Sequence, residues 1–248
     1  MIRCIAFFDV VGYKHLVLSN EHTRLREYVS FIIRDIERSL SKDVMKEWDG
    51  GRYIYANTAL AKTNVHFISD SIVFWSNTNS SEDVWDCFLT ACFFNTLMNL
   101  GNLPVRGSIQ LGELSVAQVH QKLSDQSMMT IASPYGKGLV ESYSMAEDQN
   151  WFATRVSDDV ISALALLQPD YESYCMRTKF PNKRNEFLAE SVVLKYRFPN
   201  CGYGGSFEHE SKQLLTTVSQ LIDDGDKRSR EKLNNTMDLL LMQSESSN

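Results

Sequence analysis

The chain has 248 residues, 25 Lys and Arg against 31 Asp and Glu, a net charge of −6 and 43% hydrophobic residues. This is an ordinary globular composition with enough chain to bury a full core without disulfides or a structural metal. The acidic balance counts against a protein whose main work is gripping nucleic-acid phosphates, because that needs a basic surface.

Five cysteines (Cys4, Cys87, Cys92, Cys175, Cys201) with no C-x-x-C pairing argue against a disulfide framework and a Cys-rich zinc site, and fit a reducing cytoplasm. The N-terminus has one basic residue, Arg3, before a short apolar run that meets Asp9, too short for a signal peptide. The uncharged stretch 87–105 holds Asn95, Asn99, Gly101, Asn102 and Pro104, so it reads as a core helix ending in a turn, not a membrane span. A soluble protein with no membrane or nucleic-acid partner is expected.

Residues 2–8 form an apolar run of strand length, followed by Asp9-Val10-Val11-Gly12. From Thr23, apolar positions at Leu25, Tyr28, Val29, Ile32, Ile33, Ile36 and Leu40 recur every three or four residues and predict a helix. After Asp49-Gly50-Gly51, residues 52–75 are rich in aromatic and β-branched side chains and break at Ser69-Asp70-Ser71, which predicts strand, tight turn, strand. Ser80 or Ser81 can cap a second helix with Glu82 and Asp83 in its first turn and an apolar body over 84–100.

Pro104 opens a strand over 105–111, where Gly107 and Gly112 mark close backbone approach or a hairpin bend. A strand over 128–132 leads through Pro134 and Gly136 into a helix over 139–146. The order β-α-ββ-α-ββ-α predicts an α/β (α+β) ferredoxin-like fold, a mixed sheet with helices on one face. Beyond residue 160 the pattern turns helical, with faces at Val160, Ile161, Leu164 and Leu167, at Leu214, Leu215, Val218, Leu221 and Ile222, and at Leu233, Met237, Leu240 and Leu241. The expected organisation is a catalytic domain over 1–160 and a mostly helical extension over 161–248 packed on it. Within the extension, 179–185 and 199–206 read as loops and 244–248 as a frayed tail.

Asp9 ends an apolar strand and Asp70 sits at a hairpin tip. If the first strand lies beside that hairpin, both carboxylates reach one end of the sheet, where they could share hard cations. Two such ions would serve phosphoryl transfer without a His base, and the backbone N–H groups of Val11, Gly12 and Tyr13 would face phosphate oxygens. Taken singly, each Asp is more simply a turn or cap residue. His66 is by default a packing residue, and Arg106 either pairs with a carboxylate at the sheet edge or contacts phosphate. Tyr53, Tyr55 and Phe67 form either an aromatic wall for a base or ordinary core. Cys201-Gly202-Tyr203-Gly204-Gly205 lacks the G-K-[ST] ending of a phosphate loop and reads as a turn.

Phe7-Phe8-Asp9-Val10-Val11-Gly12-Tyr13 resembles the strand-and-loop motif of class III nucleotidyl cyclases, and Phe67-Ile68-Ser69-Asp70-Ser71-Ile72 resembles their hairpin with the second metal aspartate. Val105-Arg106-Gly107-Ser108-Ile109 with Gly112 is similar to the family's next hairpin, and residues 136–145 to its following helix. Within the family, the chain is most similar to the pyrimidine cyclases of bacterial Pycsar antiphage systems, which make cyclic UMP or cyclic CMP.

The resemblance implies that Asp9, Asp70 and the Val10 carbonyl hold two Mg²⁺ or Mn²⁺ ions per site. It further implies catalytic duty for Asp9, Asp70 and Arg106, nucleotide contacts by Val11, Gly12, Tyr13, His66 and Arg106, and a homodimer with composite sites. The expected reaction makes 3′,5′-cyclic UMP from UTP. CTP as substrate, a catalytically inactive nucleotide-sensing or scaffold module, and a general nucleoside triphosphate hydrolase are the alternatives. Purine cyclases of the family read their base with a lysine and an acidic residue where this chain has His66 and Ser133. Their transition-state asparagine and arginine fall at Val140 and Ser144, so Arg106, Lys137 or Arg155 would have to supply the positive charge.

Overall fold

The computed structural model describes the chain except residues 49, 102, 123, 125, 126, 167, 185, 199–205, 222–226 and 246–248. The Cys201–Gly205 turn, Leu167, Ile222 and the last residues of the tail therefore lie outside the described residues.

The first apolar run becomes β1 (Ile2–Val10), buried on both faces near the middle of a seven-stranded sheet. After it come α1 (Tyr13–Ser19) and α2 (His22–Leu40), then β2 (Met45–Trp48) and β3 (Tyr53–Ala56), which pair only with each other. β4 (Asn64–Ile68) and β5 (Ser71–Trp75) form the expected hairpin, broken at Ser69 and Asp70. Next are α3 (Ser81–Leu100), capped by Ser80, whose side chain accepts from the Asp83 N–H, and β6 (Val105–Glu113). β1 lies between β5 and β6, antiparallel to both, and β4 flanks β5. This is the expected ferredoxin-like core, a split β-α-β in which the first strand sits centrally.

Two further strands, β7 (Ser115–Lys122) and β8 (Met128–Tyr135), make a separate two-stranded sheet, with β7 exposed from Ala117 onward. They lead into α4 (Lys137–Glu147), β9 (Thr154–Val156), which runs parallel to β6, and α5 (Asp158–Ala165). The extension contains more than helices. β10 (Cys175–Pro181) and β11 (Phe187–Leu194) continue the central sheet beyond β9, and α6 (Phe207–Leu221) and α7 (Lys227–Glu245) follow. Residues 179–181, expected as loop, are strand: exposed Arg177 and Lys179 alternate with buried Thr178 and Phe180, the pattern of a half-covered edge. No described helix is long and apolar enough to cross a membrane.

Helices cover both sheet faces, not one as expected. Cys4, Ala6, Phe8 and Val10 face α2 and α3, while Ile5 and Phe7 face α4 with Val73, Trp75 and Ala146. α3 is enclosed, packing against α2, α5 and α6 as well as the sheet. Its buried amides are satisfied: Asn95 Oδ1 accepts from Thr154 Oγ1 at 2.9 Å, and Asn99 Oδ1 accepts the Val105 N–H at 3.0 Å. α7 buries Thr236, Leu239, Leu240 and Gln243, leaving Met237 and Leu241 outside. The expected face is rotated because Thr236 and Gln243 accept the otherwise unpaired N–H groups of Phe152 and Tyr196, at 3.0 and 2.9 Å.

Candidate active site

The end of β1 meets two turns. Asp9 stands in register between Ser71 of β5 and Arg106 of β6, and the Val10 N–H donates to the Asp70 carbonyl at 2.9 Å. The Asp70 turn is closed by Ser69, held in the left-handed region at φ 58° despite its Cβ. Asp9, Val10 and Asp70 are thus brought to one end of the sheet. Their donors are two carboxylates and a backbone carbonyl, all hard oxygens, a set that fits Mg²⁺ or Mn²⁺. Among the described residues no group of three or more His, Cys, Asp or Glu is arranged to hold a metal.

Gly12 takes a left-handed backbone, φ 71°, and turns the chain into α1. The Val11 N–H is occupied, donating to the Pro104 carbonyl at 2.8 Å. That removes Val11 from the three amides expected to face phosphate.

Arg106 is buried, and its Nη2 donates to Asp9 Oδ2 at 2.8 Å and also to Glu147 Oε1. Lys183, between β10 and β11, donates to the other Glu147 oxygen at 3.0 Å. Burial pushes the Asp9 carboxyl above its ordinary value; Arg106 counters part of that, while the Asp70 and Glu147 charges add to it. Burial also pushes Glu147 up, but Arg106 and Lys183 outweigh it and hold Glu147 below the usual carboxylate range.

Glu147 reaches Arg106 because α4 lies directly on β6. Ser108 Oγ donates to the Ser142 carbonyl at 2.7 Å, Gln110 Nε2 to the Gly138 carbonyl at 2.8 Å, and Gln149 Nε2 to the Gly107 carbonyl at 2.7 Å. Gly112 is a point of close approach, not a bend, since β6 runs past it.

Two cavities open nearby, one against Ser71 next to the Asp70 turn and one against Glu147. One of about 380 Å³, mostly apolar, is lined by Phe7, Val140 and Tyr143 together with Ser71, His66 and Ser133. His66 and Ser133 therefore share one cavity. Its aromatic wall is Phe7 and Tyr143, whose rings meet edge to face at 5.6 Å. Phe67 packs on the opposite face of the sheet, and Tyr53 and Tyr55 lie on the separate β2–β3 hairpin, so of the two readings of these aromatics the wall does not form.

The other cavity, about 580 Å³, is lined by Ser144, Glu147, Asp148, Arg155 and Lys183 among others. Arg155 lies over the Phe180 ring at 3.9 Å and donates to Ser191 Oγ at 3.3 Å, its buried Nε has no partner, and no carboxylate among the described residues forms an ion pair with it. Lys137 is exposed and pairs with Glu141 at 3.3 Å. Glu147 and Lys183 were not legible as site residues. Glu147 merely follows the apolar run of α4, and Lys183 stands in a stretch that reads as loop.

No protein-family model matches the chain, and no curated protein sequence does. Solved structures do match. The adenylyl cyclase CyaB from P. aeruginosa is 13% identical, with 79% of this chain and 95% of that chain covered and a TM-score of 0.53. The catalytic core of a rhodopsin-guanylyl cyclase with converted specificity, in complex with ATPαS, is 7% identical, with 78% and 95% covered and a TM-score of 0.52. At such identities the likeness is one of architecture. The chain has the fold of a class III nucleotidyl cyclase catalytic domain.

Proposed function

We propose that the protein is a nucleotide cyclase that converts UTP into 3′,5′-cyclic UMP and pyrophosphate and acts as the signal generator of a bacterial antiphage defence system. The observation that carries the cyclase reading is the meeting of Asp9 and Asp70 at one end of a sheet with this fold. Asp9, Asp70 and the Val10 carbonyl would hold two Mg²⁺ or Mn²⁺ ions, which when bound acidify the attacking hydroxyl and neutralise the polyphosphate. The ribose 3′-oxygen forms a bond to the α-phosphorus, the bond from that phosphorus to the bridging oxygen breaks, and pyrophosphate leaves.

Gly12 and Tyr13 offer backbone N–H groups to phosphate oxygens at the turn into α1. Of the three basic residues considered for the charge developing at the α-phosphate, Arg106 is held by two carboxylates and Lys137 pairs at the surface. Arg155, without an ion pair among the described residues, is the best suited, with Arg106 as a second phosphate contact. The base would occupy the cavity of His66 and Ser133, where a purine-reading lysine and carboxylate are lacking. This supports a pyrimidine, UTP first and CTP second.

Ile68, Tyr135, Val140 and Tyr143 are each more than half exposed, and Ile68, Val140 and Tyr143 line that cavity, which supports a homodimer whose second copy closes it. The four described cysteines are free and buried, in keeping with a cytoplasmic location. Val140 and Ser144, where the family has asparagine and arginine, favour a second reading, an inactive nucleotide-sensing module.

The experiment is incubation of the protein with each of the four ribonucleoside triphosphates and Mn²⁺, with products identified by mass spectrometry. Cyclic UMP with pyrophosphate is the expected result. Turnover of ATP or GTP alone would overturn the pyrimidine reading, linear diphosphate would indicate a hydrolase, and no product would favour the sensor.

A further inference from the structure

Arg106 presents one nitrogen, Nη2, to two carboxylates at once, Asp9 and Glu147, inside a wall that leaves the arginine side chain 9% exposed. A buried guanidinium facing Asp9 alone would form a closed neutral pair and take that carboxylate away from any other cation. Here the second N–H of the same nitrogen goes to Glu147, so one guanidinium charge is shared between two carboxylates. Glu147 draws the guanidinium toward α4, and Lys183 in turn draws on the other Glu147 oxygen at 3.0 Å. Asp9, Asp70 and Glu147 against Arg106 and Lys183 leave the cluster with one surplus negative charge.

We propose that Glu147 is a positioning residue which shares the Arg106 charge with Asp9 and thereby sets how tightly the Asp9 and Asp70 pair takes a divalent cation. This rests on the reading that the pair holds such cations. Removing the Glu147 charge gives Arg106 wholly to Asp9 and cancels the surplus charge, and both effects weaken cation binding. Removing Lys183 does the opposite, because Glu147 is then left to Arg106 alone and the surplus grows.

The test is Mn²⁺ binding to the full chain without nucleotide, followed through the electron paramagnetic resonance signal of free Mn²⁺. Glu147→Gln is expected to raise the Mn²⁺ dissociation constant about tenfold or more, the scale of one charge acting on a dication nearby. Lys183→Met is expected to lower it severalfold. Glu141→Gln, an equal charge change at the exposed partner of Lys137, is expected to leave it unchanged. Unchanged affinity in Glu147→Gln, or no tightening in Lys183→Met, overturns the proposal while the metal reading stands. An Asp9→Asn variant that binds Mn²⁺ as well as the wild type, or a wild type that binds none, removes the metal reading and this proposal with it.

Discussion

Gly112 of β6 and Gly138 of α4 touch backbone to backbone: a Cβ on Gly112 would come within 2.6 Å of the Gly138 Cα, and one on Gly138 within 2.8 Å of the Gly112 Cα. This contact lets α4 settle low enough for Glu147 to reach Arg106. Gly138→Ala would be favoured by helix propensity by about 1 kcal/mol. We nevertheless expect a net loss of about 1 to 3 kcal/mol in urea unfolding, because the added methyl forces strand and helix apart.

Asp70 is half-buried in the turn, and its charge adds to the repulsion that raises Asp9. Asp70→Asn therefore relieves the fold and harms only the chemistry. Cyclic product formation should fall by about a hundredfold or more, equivalent to about 2.7 kcal/mol of lost transition-state stabilisation. The melting temperature should hold steady. Equal activity would remove the second carboxylate from the reaction.

His66 and Ser133 line one cavity from β4 and β8. On the proposed placement of the base, His66→Lys and Ser133→Asp combined should introduce ATP turnover and raise the KM for UTP. Product analysis against both triphosphates decides it, and a double variant with unaltered base preference would place the base elsewhere.

Arg155 offers a guanidinium with an unpartnered buried Nε. Arg155→Met keeps the aliphatic contact with Phe180 and removes the charge. The expected result is a fall in kcat of about a hundredfold with a smaller change in KM, the pattern of a group used in the transition state. Arg155→Lys should recover part of the rate.

Asp35 in α2 is buried beside Arg34, and burial raises its carboxyl above 3.8. Between 3.8 and the raised value the folded chain holds a proton that the unfolded chain has lost, so this group's contribution to stability falls as pH rises through that window. Denaturant unfolding across the acidic range should show that slope in the wild type and lose it in Asp35→Asn.

Hydrophobic patterning locates β1 and α3 as continuous apolar runs enclosed on every side, and α2 as an apolar stripe facing the core. The meeting of Asp9 with Asp70 was legible on one condition, that the first strand lies beside the hairpin, and the sheet order meets it. What escaped were features decided by partners far along the chain. β10 breaks its apolar pattern with Arg177 and Lys179, and β11, though it carries only Glu190, finds its place in the sheet only through β9 and β10. Ile33 falls on the apolar stripe of α2 by spacing, yet it is 45% exposed, and Asp35 is buried in that helix instead. The Glu147 and Lys183 ion pair joins residues from two unrelated segments, with no spacing to announce it.

α3 has no side given over to water: sheet, α2, α5 and α6 together enclose it. A helix in that position acts as a shared axle. Loosening the C-terminal helices would wet the same rod that supports β1, and a disturbed β1 would in turn unseat those helices. Asp9 at the tip of β1 thus owes its alignment in part to α6 residues about two hundred positions after it, and the molecule has little means of melting one half while keeping the other.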